Sequence, residues 1–207
     1  MTAAEKLDLP PMTFADFVEF ERTSDVKHEI WGGVLVAMAG ATERHNIVAG
    51  NAKFEIESQF RASSSGCMTF GSDQMVYQPG PNKGVYPDLS AVCGPGESEK
   101  DSAGENRVLL NPGLAIEVLS RSTAGRDFGG KLDGYFSIPS LTEYIVIDPT
   151  FPSVRIHRVD GTELRMSFAT DLDDTIELQS LNVTLAVRDI YHVDLSPRSD
   201  IFPDDDD

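Results

Sequence analysis

Two carboxylates stand alone inside apolar runs. Asp88 falls in Val85-Tyr-Pro-Asp-Leu-Ser-Ala-Val-Cys93, and Glu117 in Leu114-Ala-Ile-Glu-Val-Leu119. Burying a carboxylate costs several kcal/mol unless it is paired or bound to a metal. On neighbouring strands the two would make a hard-oxygen site suited to magnesium, which takes a carboxylate or two and keeps several waters. The plain alternatives are an acid turned to solvent or one paired with an arginine. Lys131 is a third candidate. It lies at the margin of an apolar stripe formed by Phe128, Leu132, Tyr135 and Phe136, so its ammonium either snorkels outward or reaches back over the sheet edge.

Other signatures are incomplete. No G-x-S-x-G nucleophile elbow occurs. His28-Glu29 opens like a zinc-protease motif, but Gly32 stands where the second histidine is required. Gly125 to Lys131 fits G-x-x-x-x-G-K, yet Leu132 replaces the Ser or Thr that would hold magnesium, and Asp127 would put a carboxylate in the anion cradle. Cys67 and Cys93 lack a C-x-x-C spacing, which argues against structural zinc; reduced thiols are expected. His157 is out of phase with Val154 and Ile156 and is expected to face solvent.

The elements that must position these groups read as a mixed α/β chain with an antiparallel or mixed sheet. Thr13 followed by Asp16 resembles a capping box opening a helix through about Glu21. His28–Trp31 and Val34–Ala39 flank Gly32-Gly33 as a hairpin. Glu43 to Phe60 reads as the longest helix; Ile47, Val48, Phe54, Ile56 and Phe60 spread around its wheel, predicting burial on all sides. Gly66–Tyr77, Val85–Cys93, Leu114–Ser120 and Glu143–Ile147 read as strands, with a polar loop over Gly94–Asn111 and a helix from about Thr123 to Phe136. Asp160-Gly161 predicts a type I′ hairpin between Val154–Val159 and Thr162–Phe168, and Ile176–Val187 adds one extended segment. Residues 12–195 are read as one domain, 1–11 as a loose lead-in and 196–207 as an acidic, disordered tail.

Composition constrains the partners. Seventeen basic against 34 acidic residues give a net charge of −17, of which Arg198–Asp207 supplies −4. Such a chain repels polyanions at long range unless a local site overrides the field. No apolar run is long enough to span a bilayer, and the N-terminus lacks the basic-then-apolar order of a secretory signal, so a cytoplasmic location is expected.

Taken together, the residues resemble the Uma family of restriction-endonuclease-like proteins, in the PD-(D/E)XK nuclease superfamily. The resemblance rests on Tyr86-Pro87-Asp88, Glu117-Val118-Leu119-Ser120, Lys131 with Tyr135, and Ile138-Pro139-Ser140-Leu141-Thr-Glu-Tyr144. His28-Glu29-Ile30, Val36-Ala-Met-Ala-Gly40, His45 and Leu178–Leu185 fall in the family's order, over roughly residues 12–195. It implies a restriction-endonuclease-like mixed β-sheet flanked by helices, with extra hairpins. Asp88 and Glu117 would be metal-binding carboxylates, with the Val118 carbonyl as a further ligand and magnesium, or manganese in its place, as the ion. The superfamily lysine normally stands two places after the Glu, here Leu119; similar families carry it on the next helix, so Lys131 would orient the attacking water. Glu29 matches a recurrent acid that supports the metal or the water, and is equally readable as an exposed hairpin acid. His45 matches a family position at the long helix's start, where capping or packing is the simpler role. Two acids usual after the N-terminal Glu are absent, since this chain reads Ile30-Trp31-Gly32-Gly33-Val34. The implied activity is endonucleolytic hydrolysis of DNA leaving a 5′-phosphate, with a homodimer as the simplest way to cut both strands. The alternatives are a non-catalytic interaction or regulatory module on the same fold and, from the Gly125–Lys131 loop, a nucleotide-binding protein.

Overall fold

The computed structural model describes residues 6–80, 82–120 and 130–192. Helix α1 spans Phe14–Thr23. The Thr13 hydroxyl oxygen accepts from the Asp16 amide at 3.2 Å while its proton goes to the Asp16 carboxylate at 2.7 Å, so the local capping signal sets the helix start. Strands β1 (His28–Trp31) and β2 (Val34–Ala37) form the expected hairpin. Gly32 and Gly33 carry φ of +58° and +85°, the left-handed pair that a two-residue type I′ turn needs. Residues 6–12 run beside it, with Leu7 N–H donating to the Leu35 carbonyl and Met12 N–H to that of Gly33.

Helix α2 covers Glu43–Ser63, and its N-cap Thr42 accepts from the His45 amide. It is not buried all round. His45, Val48, Ala52, Ile56 and Phe60, three or four residues apart, make one inward stripe, and Phe54 on the other side is 67% exposed.

Two predicted strands are each broken in two. Gly66–Tyr77 divides into β3 (Cys67–Gly71) and β4 (Met75–Gln78), which join different sheets. Val85–Cys93 divides into β5 (Lys83–Val85) and β6 (Leu89–Cys93). Tyr86-Pro87-Asp88 is therefore the crossing between sheets, and Pro87, which has no amide proton for a ladder, marks it. The expected loop over 94–111 contains β7 (Ser98–Lys100) and β8 (Asn106–Leu109). Beyond it come β9 (Leu114–Val118), α3 (Gly130–Tyr135), β10 (Glu143–Ile147), β11 (Val154–Asp160) and β12 (Glu163–Ala169). The start of the predicted helix, with Phe128 and most of the Gly125–Lys131 loop, lies outside the described residues, as does the C-terminal tail. The last predicted segment is a hairpin, β13 (Thr175–Leu178) and β14 (Val183–Ala186), followed by the short α4 (Val187–Ile190).

The first sheet has the order β2-β1-β5-β4-β8-β7 and the second β12-β11-β10-β9-β6-β3; each mixes parallel and antiparallel pairs. Alternation along the strands gives each sheet two buried faces. On the first, Ile30, Met75 and Val108 pack against Phe14, Phe17 and Val18 of α1. Its opposite face, through Val76, Val85 and Leu109, shares a core with Ala115, Tyr144 and Val146 of the second sheet and Tyr135 of α3. The far side of the second sheet, through Leu114, Ile116 and Val118, packs on α2, the β13–β14 hairpin and α4. Gly84 allows α1 to close on β5, since a Cβ there would lie 2.7 Å from the Phe17 ring.

Three local expectations are corrected. His157 is buried, stacked on Tyr144 at 5.9 Å, because the second sheet is covered on both faces. The β11–β12 turn is one residue later than Asp160-Gly161: Asp160 pairs with Glu163, and Gly161 leads the turn at φ +63°, as in a type II′ turn. Cys67 and Cys93 are not free thiols. They face each other across β3 and β6 and form a disulfide.

Candidate active site

The seam between the two sheets holds the acids singled out above. Strands β6 and β9 pair Leu89 with Ile116, and continuing that antiparallel register by one step sets Asp88 opposite Glu117. Asp88 lies at the end of the crossing segment, where its Oδ2 accepts from the Val118 amide at 2.7 Å. Glu117 shares a face of β9 with Ala115, so it points toward α3 rather than α2. There its Oε1 accepts from Lys131 Nζ at 3.0 Å and the Tyr135 hydroxyl at 2.6 Å. Lys131 and Tyr135 are four residues apart, hence on one face of α3. Lys131 is 5% exposed, so of its two possible paths it takes the inward one.

Glu29 arrives from the first sheet. Its Oε1 lies 3.4 Å from Lys131 Nζ, and its Oε2 accepts from the Trp31 indole N–H at 3.0 Å. The ammonium thus bridges carboxylates from both sheets. Glu29 is 9% exposed, which excludes the exposed-hairpin reading.

His45 joins the group from the N-terminal turn of α2. Its Nε2 lies 3.2 Å from Asp88 Oδ2. Burial alone would lower its pKa, but the hydrogen bond and charge of Asp88, with the Val118 carbonyl beside it, outweigh that and raise it. The simpler packing role expected for His45 is therefore incomplete, since it contacts the very carboxylate the sequence singles out. Its signal is visible in retrospect: His45 begins the stripe that continues through Val48 and Ala52. The sequence places Tyr135 on an apolar stripe and among the residues that carry the family resemblance, with no site role of its own. Its hydroxyl holds Glu117, and burial, then the Glu117 charge, push its pKa well above 10.

A cavity of about 430 Å³ opens on this seam, lined by Glu29, Asp88, Glu117, Val118, Lys131 and His45, with Trp31 and Tyr86 on its walls. Every residue assigned a site role from the sequence lines this one space. Among the described residues no group of three His, Cys, Asp or Glu side chains is already arranged around a metal position.

The Uma2 family model, described as "Putative restriction endonuclease", matches residues 14–188. The chain belongs to that family. Among curated relatives it is 26% identical over 186 residues to the uncharacterized protein slr1290 of Synechocystis, covering 88% of this chain and 92% of that protein. It is 29% identical over 137 residues to the uncharacterized protein sll1609 of the same organism, covering 66% and 75%. Its fold is that of a crystal structure from Anabaena variabilis described as a putative nuclease belonging to DUF820, with TM-score 0.68 at 16% identity, over 87% of this chain and 98% of that one. The expected mixed-sheet nuclease architecture is thus present. No helix among the described residues is long and apolar enough to cross a membrane.

Proposed function

We propose that this Uma2-family chain is a magnesium-dependent endonuclease that hydrolyses phosphodiester bonds of DNA at the Asp88–Glu117 seam. The observation that carries this reading is the convergence of Asp88, Glu117, Lys131 and Glu29, from the crossing segment, β9, α3 and β1, on one cavity. The donor set fits the ion. Two carboxylates and the Val118 carbonyl are hard oxygens, and magnesium is commonly held by one or two carboxylates with waters completing its shell. Asp88 uses Oδ2 for both its contacts, which leaves Oδ1 outside them. Magnesium, or manganese in its place, would supply charge neutralisation at the phosphate and a more acidic water.

The chain's own groups do the rest. Asp88 is held by the Val118 amide, so its position is tied to the strand that carries Glu117. Lys131 Nζ, fixed between Glu117 and Glu29, would donate to a phosphate oxygen or to the attacking water and hold it near the phosphorus. Glu29, itself oriented by Trp31, sets where that ammonium points. The test is cleavage of DNA with magnesium or with EDTA by the wild type and by Asp88→Asn. Magnesium-dependent cleavage lost in the variant supports the reading; an unchanged rate removes Asp88 from the mechanism.

A second reading has its own observation. Asp88, Glu117 and Glu29 each contact His45 or Lys131 of the chain itself, as expected where the carboxylates are structural and the fold serves an interaction module. Absence of cleavage of any nucleic acid, with a correctly folded protein, would favour it.

A further inference from the structure

We propose that the cavity takes a nucleotide of an unpaired strand rather than a base-paired duplex. This rests on the nuclease reading and names its substrate class. Size is the first argument. About 430 Å³ lies within the roughly 300–1,000 Å³ of sites that enclose one small molecule. Specific duplex binders instead cover about 1,000–2,500 Å² of their own surface with the nucleic acid.

Charge is the second. A duplex presents one phosphate charge per about 1.7 Å of axis, and binding it rests on many Lys and Arg contacts. This chain has 17 basic residues against 34 acidic ones. Among the described residues lining the cavity, the lysines are Lys131, held between Glu29 and Glu117, and Lys27, paired with Asp73, against the three acids Glu29, Asp88 and Glu117. An unpaired strand entering here brings only one or two phosphates close to those few cations and leaves the rest in solvent.

The walls supply the third argument. Trp31 and Tyr86 both line the cavity; Lys83, outside that lining, covers one face of Trp31 with its Nζ 3.8 Å from the centroid and leaves the other to a base, and Lys27 Nζ lies 5.8 Å from the centroid of Tyr86. Both rings are anchored by their polar ends. The Trp31 N–H is held by Glu29 at 3.0 Å, and the Tyr86 hydroxyl donates to Glu21 at 3.3 Å. Fixed aromatic faces beside lysines are what single-strand sites use, with bases on the rings and phosphates on the cations. Bases in a duplex are stacked on each other and cannot offer a face without being unstacked. Since Trp31 is bonded to Glu29, and Glu29 to Lys131, a base beside that ring sets its phosphate next to the carboxylates.

Trp31 is the chain's one tryptophan, which gives a binding signal independent of cleavage. The experiment titrates wild-type protein in EDTA with a twelve-residue oligothymidylate and, separately, with a blunt DNA hairpin, following tryptophan fluorescence. Saturable quenching by the single strand, at least tenfold tighter than by the hairpin, is expected. Labelled-strand anisotropy should then show about tenfold or greater weakening in Lys83→Ala and Tyr86→Ala, with a smaller loss in Tyr86→Phe, which keeps the ring but not its bond to Glu21. Melting temperatures identify any variant that has lost its fold, and Lys83→Ala stands if Tyr86→Ala does not. Equal or tighter hairpin binding overturns the proposal, as does the absence of binding to either. Magnesium-dependent cleavage of a duplex without single-strand binding would overturn it and leave the nuclease reading intact. Single-strand binding without any cleavage would do the reverse.

Discussion

Replacing Lys131 with Met removes one positive charge from between two buried carboxylates while keeping most of the side chain's volume. The ammonium lies 3.0 Å from Glu117 and 3.4 Å from Glu29, with the three side chains 6%, 6% and 12% exposed. At an effective dielectric constant of 20, each contact has a gross attraction of about 5 kcal/mol. Desolvation of the ions takes back much of that in the intact site, but the variant keeps the desolvated carboxylates and loses the compensation. Breaking a buried pair in this way costs about 3–5 kcal/mol. The Tyr135 hydroxyl still holds Glu117 in the variant, so the lower half of that range is expected. Urea unfolding at neutral pH, with circular dichroism to confirm the native fold, measures the loss. Adding Glu117→Gln to Lys131→Met should recover part of it, because the second change removes an uncompensated charge. A loss below about 1 kcal/mol, the size of an exposed ion pair, would refute the bridged, buried ammonium.

Three other outcomes follow from the fold. Glu143, with no exposed surface, accepts from Arg158 Nε at 2.8 Å and from the amides of Gln179 and Ser180 at 3.1 and 2.8 Å, so Glu143→Ala should cost about 3–5 kcal/mol in chemical denaturation and loosen the β13–β14 hairpin; a loss under 1 kcal/mol would contradict this. Burial, and secondarily the Arg155 charge, hold the His157 pKa below its ordinary 6.5. The unfolded chain therefore binds this proton first as pH falls, so the native state loses stability from about pH 6.5 downward toward the folded pKa, while above about pH 6.5 this group adds nothing further. His157→Phe should remove that component, and parallel wild-type and variant stability curves from pH 7.5 to 5 would refute it. Reducing the Cys67–Cys93 bridge, which closes a sequence separation of 26, should lower stability by about 3 kcal/mol, with thiol alkylation appearing only after reduction; alkylation of the untreated protein would contradict the bridge.

The features legible in the sequence were local ones. Thr13 with Asp16, and Gly32 with Gly33, specify a cap and a turn within three residues, and both formed. Asp88 and Glu117 stood out because an acid in an apolar run needs a reason, and both line the cavity. Breaks within strands were harder. Val85–Cys93 reads as one apolar run, yet Pro87 divides it between sheets, and that proline was the available clue. Strand β7, Ser98–Lys100, is exposed throughout and has no apolar alternation to mark it. The Cys67–Cys93 pairing and the burial of His157 depend on strand register and on a second covered face, which no local pattern encodes. His45 lay between these cases, since its place at the head of the α2 stripe pointed it inward, but only the fold brought Asp88 to meet it.

As proposed above, Asp88 and Glu117 would hold a metal that makes this seam hydrolytic. Isothermal titration of magnesium and manganese into the wild type and Asp88→Asn, with a plasmid-nicking and oligonucleotide-cleavage assay on the same samples, tests it most directly. Metal binding and metal-dependent cleavage are expected in the wild type, both lost in a variant that melts as a folded protein. No metal binding by the wild type, or cleavage that survives in Asp88→Asn, would contradict it and leave these carboxylates as structural partners of His45 and Lys131.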